Sequence, residues 1–259
     1  MRRILAPARQ RRRPGGKLCR AGTIEGMKSE VETTVDIQGV VFDIDGTLLD
    51  NMAFHEEAFN TWAGKHGLPA LTMETRKWMD GKRNRDIFPY LLEREMTADE
   101  VDVLADEKES LYRTLSKGRL SALPGLERML QLLQARGLPV ALATSAPLAN
   151  VLHTLAELNF TTRLPLVARS DEVPRGKPFP DVFLRAAQLM GVDPARCLAF
   201  EDAPAGIIAA RAAGMTTVGV TTSYTPAILS ATEPPPHAIV KDYDQFLTQT
   251  GASLLRVTV

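Results

Sequence analysis

Short, almost wholly apolar segments alternate with longer segments of helical spacing over most of the chain. Residues 37 to 44 (IQGVVFDI) form an apolar, β-branched run that ends in carboxylates and Gly46, the pattern of a buried strand delivering Asp43 to a loop. From Phe54 to about Leu120 the pattern turns helical and charged, with expected breaks at Gly67, Pro69, Gly81 and Pro89. No strand pattern interrupts that stretch, so it reads as a helical insertion whose core should include Trp62 and Trp78. Pro124 and Gly125 then open a helix with Leu126, Met129, Leu130 and Leu133 on one face, closed by Gly137.

The alternation continues through the strand PVALATS, a helix over 148 to 158, an apolar LPLVA, a helix from Pro180 to Met190, and the strand CLAFED. A helix from Ala205 to Ala213, the strand TTVGV, a rigid EPPP turn and a last short strand HAIV complete it. Strands alternating with helices predict an α/β fold with a doubly wound parallel sheet, whose functional groups gather at the carboxyl ends of the strands. The expected organisation is a basic, disordered extension over 1–35, an α/β core from 36–53 and 121–259, and a helical cap over 54–120.

Composition refines this picture in two places. Of 31 basic and 31 acidic residues, eight basic ones (Arg2, Arg3, Arg9, Arg11, Arg12, Arg13, Lys17, Arg20) and no acid lie in residues 1 to 20. The rest carries 23 basic against 31 acidic residues and would repel nucleic acid. The tail lacks the apolar stretch of a secretory signal and the serines usual in an organelle transit peptide, so translation starting at Met27 and a cytoplasmic location are expected. No apolar run is long enough to cross a bilayer, and Cys19 and Cys197 suggest neither a disulfide framework nor a thiolate metal site. No membrane partner is expected, and a monomer is the default.

The strand ends bring together Asp43 and Asp45, Thr144 and Ser145, Lys177, and Glu201 with Asp202. Carboxylates facing one lysine are relieved by a hard cation such as Mg²⁺, which takes oxygen ligands. Lysine and a hydroxyl suit a phosphate, and amides at Gly46 would bind phosphate oxygens. A carboxylate can attack phosphorus, while a second carboxyl two residues later protonates the leaving alcohol and then activates water. Thr144 would also serve simply to cap the following helix, and Glu201 with Asp202 would complement the next helix dipole. His66, His153 and His237 have no metal-ligand spacing.

FDIDGTLLD, followed by ATS, GKPFPD and FEDAPAGI, resembles the four ordered motifs of the haloacid dehalogenase-like (HAD) hydrolase superfamily over roughly Gln38 to Val220. The nearest branch is that of β-phosphoglucomutase and the sugar-phosphate phosphatases, with a Rossmann-like core and a helical cap. The resemblance implies Asp43 as nucleophile, Asp45 as general acid/base, Thr144, Ser145, Lys177 and Gly46 as phosphate binders, and a Mg²⁺ site of Asp43, Asp45, Glu201 and Asp202. It also implies His55, Arg83, Arg85 and Lys108 as cap residues toward the substrate, a small phosphorylated metabolite. Two departures favour hydrolysis over mutase chemistry. Ser145, Ala146, Pro147 and Leu148 replace a Ser-Lys-Asn phosphate grip, and Thr47 stands where the mutase usually has valine. The alternatives are a mutase using the same phospho-aspartate and a catalytically silent regulatory binding protein.

Overall fold

The structure is a computed structural model that describes residues 36–250; the expectations for the basic tail and Cys19 fall outside that range. Six strands form one parallel sheet: β1 (Gly39–Phe42), β2 (Val140–Thr144), β3 (Val167–Arg169), β4 (Cys197–Glu201), β5 (Thr216–Val220) and β6 (Ala238–Val240). Their order is β3-β2-β1-β4-β5-β6. The chain therefore winds outward from β1 in one direction, returns, and winds outward from β4 in the other. The crevice between the carboxyl ends of β1 and β4 is the topological switch point, where open α/β sheets bind ligands.

Period-two alternation divides the strand residues between two apolar layers. Val40, Phe42, Leu142, Leu198 and Phe200 face one side, where α5 (Leu126–Ala135), α6 (Leu148–Glu157) and the C-terminal Tyr243 and Phe246 pack. Phe42 and Phe200 stack there with ring centroids 5.0 Å apart. Val41, Ala141, Ala143 and Ala199 face the other side, against α7 (Asp181–Met190) and α8 (Pro204–Ala212). Alanines dominate this second layer on both sheet and helices, which lets α7 and α8 sit close to the sheet.

Between β1 and β2 come α1 (Met52–Lys65), α2 (Met73–Met79), α3 (Asn84–Leu91) and α4 (Ala98–Ser116). The last is opened by a capping box of Thr97 and Glu100. Their apolar faces form a separate cluster of Phe59, Trp62, Ala63, Met79, Ile87, Phe88, Val101 and Ala105. Two expectations for this stretch need correction. Pro89 does not break the chain but sits inside α3, where the missing hydrogen bond falls on the carbonyl of exposed Arg85, which solvent can satisfy. Trp62 is fully buried against Phe88, but Trp78 is on the surface, stacked on exposed Tyr90 at 3.8 Å with Lys82 Nζ 4.9 Å from its ring centre. A short α9 (Pro226–Ser230) lies between β5 and β6.

Candidate active site

Asp43 is the first residue beyond β1, and its amide still bonds to Phe200 O on β4 at 3.0 Å, which fixes the carboxylate at the switch point. The chain then turns sharply through Gly46, whose φ of +79° and close approach to Asp202 both require glycine. A Cβ there would stand 2.0 Å from Asp202 Oδ2. The Gly46 amide was expected to meet phosphate; it donates instead to Asn51 Oδ1 at 3.1 Å, and Thr222 donates its hydroxyl to the Gly46 carbonyl.

Lys177 lies behind Asp43. Loop lysines are usually solvated, but this one is buried, with Nζ 2.6 Å from both Asp43 Oδ1 and Glu201 Oε1. The other oxygen of Glu201 accepts at 2.8 Å from the amide of Ala203, the residue just before α8, a helix that has no side-chain cap. Asp202 is held by the hydroxyls of Ser223 and Thr47. Carboxylate oxygens of Asp43, Glu201 and Asp202 come within 4.8 Å of one another, all buried. Burial drives the Asp43 carboxyl up to about 7; Lys177 opposes this, and Glu201 and Asp45 reinforce it. Burial, with Glu201 and Asp43 as neighbours, likewise raises Asp202 well above the usual range. Three crowded, buried carboxylates offering only oxygen are a donor set that fits a hard divalent cation. The Asp45 side chain stands outside this triad.

Asp45 belongs to a second network that ties the sheet to the helical insertion. Asn51, at the start of α1, donates to Asp45 Oδ1 at 2.6 Å and to Tyr112 Oη at 2.7 Å. His55 Nε2 is 3.5 Å from the same Asp45 oxygen, at ion-pair rather than hydrogen-bond distance, and its ring stacks on Tyr112 at 3.8 Å. His55 Nδ1 lies 3.0 Å from Lys108 Nζ, and that ammonium also contacts Glu109 Oε2 at 3.1 Å. Burial alone would raise Asp45, but His55 and the Asn51 hydrogen bond, with Lys108 behind them, hold it below its usual value.

A cavity of about 410 Å³ opens over both networks, lined by Asp43, Asp45, Thr144, Ser145, Lys177 and Asp202 below and by His55 and Lys108 above. Thr144 Oγ1 also accepts from the Ala146 amide at 3.0 Å, a local turn bond; the N-cap of α6 is Pro147, so Thr144 does not cap that helix as expected and stands in the cavity wall instead. Ser145 Oγ donates to Gly81 O at 2.7 Å and so joins the end of β2 to the helical insertion. Arg83 and Arg85 do not line this cavity. Arg83 is turned to Asp86 and Pro174 O, at 2.8 and 3.2 Å, and Arg85 is exposed. Asn84 between them lines the cavity instead, as do Asp80, Glu109, Asn150 and Tyr224. Sequence spacing carries no signal for Asn84, because the face that α3 presents depends on where it starts, nor for the other four, which come from separate elements that only the fold brings together. His66, His153 and His237 find partners in Glu107, Ser116 and Arg211, away from the cavity.

The family model of the haloacid dehalogenase-like hydrolases matches residues 37–214. The chain belongs to the haloacid dehalogenase-like hydrolases. It is thus an enzyme, and the proteins it is similar to include phosphatases and, among solved structures, a putative β-phosphoglucomutase from Thermotoga maritima with a TM-score of 0.61 at 26% identity over 82% of this chain and 97% of the other. It is 34% identical over 187 residues to hexitol phosphatase A of Escherichia coli (strain K12), covering 71% of this chain and 82% of that one. Over 182 residues it is 34% identical to fructose-1-phosphate phosphatase YqaB of the same strain, covering 70% and 95%. In structure it resembles a HAD hydrolase, family IA, variant 3, from Entamoeba histolytica HM-1:IMSS, with a TM-score of 0.76 at 25% identity over 85% of this chain and 99% of the other. No helix of this hydrolase among the described residues is long and apolar enough to cross a membrane.

Proposed function

We propose that this hydrolase is a Mg²⁺-dependent phosphatase acting on a small sugar or polyol phosphate in the cytoplasm, as a monomer, through a phospho-aspartate on Asp43. The observation that carries this reading is Asp43 at the cavity floor, clamped by Lys177 and flanked by Glu201 and Asp202. Asp43 attacks phosphorus while Lys177 and the Thr144 and Ser145 hydroxyls hold the equatorial oxygens. Mg²⁺ held by Asp43, Glu201 and Asp202 would neutralise the phosphate charge. Asp45 gives a proton to the leaving alcohol and then takes one from the water that cleaves the acyl phosphate. Its low carboxyl suits the second step, and the arriving phosphate dianion raises it for the first. The segment predicted over 54–120 acts as a cap that excludes bulk water, with His55 and Lys108 carrying its position to Asp45.

A mutase reading is favoured by the same His55–Lys108 contact, which would couple closure to sugar binding. The deciding experiment follows phosphate release from hexose, pentose, polyol and glycolate phosphates with Mg²⁺, beside β-glucose 1-phosphate conversion primed with the 1,6-bisphosphate. The phosphatase reading expects rapid, EDTA-sensitive release on one ester class. Isomer conversion outpacing release would establish the mutase, and EDTA-insensitive turnover would remove the metal.

A further inference from the structure

One part of the cavity wall, contributed by α3, α4 and α6, carries amides and a carboxylate. Glu109 on α4 is 4% exposed, yet it borders the cavity. Its Oε1 accepts from Asn84 on α3 at 3.0 Å, and its Oε2 accepts from Asn150 on α6 at 2.6 Å and from Lys108 at 3.1 Å. Burial would raise this carboxyl, but Lys108, His55 and the two amides hold it below its usual value, so it carries a full negative charge at neutral pH. An ionised carboxylate has roughly four lone-pair directions, and these three donors leave one for a ligand hydroxyl.

The cations that line this cavity are already engaged; in the adjoining cavity that shares Glu109 and Asn84, Arg113 is held by Asn150 and Asp106, and the exposed Arg85 is the one cation there without an ion-pair partner among the described residues. Arg76 is paired with Glu56, Lys108 with Glu109, and Lys177 with Asp43 and Glu201. The Lys82 ammonium stands over the exposed Trp78 ring, and Arg83 is turned away to Asp86. Asp80, bonded to the Tyr224 hydroxyl, adds another carboxylate to the lining.

Building on the phosphatase reading, we infer that the cavity selects a phosphomonoester whose far end is uncharged and hydroxyl-bearing, a polyol or sugar monophosphate. Bisphosphates and phosphorylated carboxylic acids are rejected, and Glu109 is the residue that sets the choice. Hydroxyls both donate and accept, so they can satisfy the free Glu109 direction and the amides of Asn84 and Asn150 together. A second anion brought to the same place loses its water and meets a like charge, with every cation lining the cavity already engaged.

The test uses two matched pairs: sorbitol 6-phosphate with 6-phosphogluconate, and fructose 1-phosphate with fructose 1,6-bisphosphate. Wild-type kcat/KM should favour the uncharged-end member of each pair by at least about tenfold. Glu109→Gln should narrow that preference by about tenfold, mainly through a lower KM for the charged members, whereas a merely structural loss lowers both members in parallel. Asn84→Arg should narrow it in the same direction and serves if the first variant does not fold. Equal use of both members by the wild type, or an unchanged ratio in folded variants, overturns this inference while leaving the phosphatase intact. Hydrolysis of no ester at all overturns the phosphatase reading and this inference with it.

Discussion

Replacing Lys177 by methionine keeps the length of the side chain and removes the one ammonium that separates Asp43 from Glu201. Its Nζ is 2.6 Å from an oxygen of each, and all three side chains are at most 8% exposed. Removing one partner of a buried ion pair costs about 3–5 kcal/mol, because a charge is left in low dielectric without compensation. For a domain of this size that corresponds to a fall in Tm of roughly 6–20 °C. The loss should depend on pH. Asp43, raised from 3.8 to about 7, binds a proton in the folded state that the unfolded chain releases, so its contribution to stability falls as pH rises through that window. Lys177 is the main influence holding the Asp43 carboxyl down, so its removal extends the window upward. Above about pH 7 the wild-type Asp43 has released that proton, while the variant's Asp43 still holds it and goes on losing stability as pH rises, so the deficit is larger at pH 8 than at pH 6. Thermal unfolding of wild type and Lys177→Met in EDTA at the two pH values measures this. A loss no larger at pH 8 than at pH 6, or no loss at either, would refute the reasoning.

Asn51→Ala leaves the Gly46 amide, the Tyr112 hydroxyl and Asp45 each short of a partner, which should cost about 1–3 kcal/mol in a denaturant melt. It should also move the alkaline limb of kcat/KM to higher pH, because Asp45 must be protonated to expel the alcohol and one of the bonds lowering it is gone; an unmoved limb would separate Asn51 from that carboxyl. Asp45 and Glu109, both depressed, contribute stability above their usual 3.8 and 4.5 that disappears as pH falls below those values. Trp62→Ala should destabilise by about 3–5 kcal/mol, since it empties the centre of the helical cluster. Trp78→Ala, at the surface, should change stability by about 0.5 kcal/mol or less, and similar losses at both tryptophans would contradict the packing described.

Local pattern carried the sheet and the floor of the site. Asp43, Thr144, Glu201 and Asp202 follow or end strands whose apolar runs are buried on both faces, so placing the strands placed the carboxylates. Lys177 was legible only through its surrounding motif, because burial of a loop lysine is decided by Asp43 and Glu201, which arrive from distant parts of the chain. The wall of Asn84, Glu109 and Asn150 was not legible. Whether Arg83, Asn84 or Arg85 meets the cavity depends on the first turn of α3, and Arg83 is drawn outward by Asp86 three residues later. Pro89 and Trp78 misled for the same reason: their consequences depend on which side of a short helix faces solvent. Glu109 gave no signal beside Lys108, since adjacent opposite charges on a helix usually mark a solvated face, whereas here Asn84 and Asn150 bury the pair.

The central claim is that Asp43 takes the phosphoryl group. Acid-quenched single turnovers with ³²P-labelled ester and Mg²⁺, followed by peptide mapping, test it most directly. Transient label on the peptide containing Asp43, and neither label nor phosphate release in Asp43→Asn, is the expected result. Phosphate release at the wild-type rate by a folded Asp43→Asn protein, with no labelled peptide in the wild type, would contradict it.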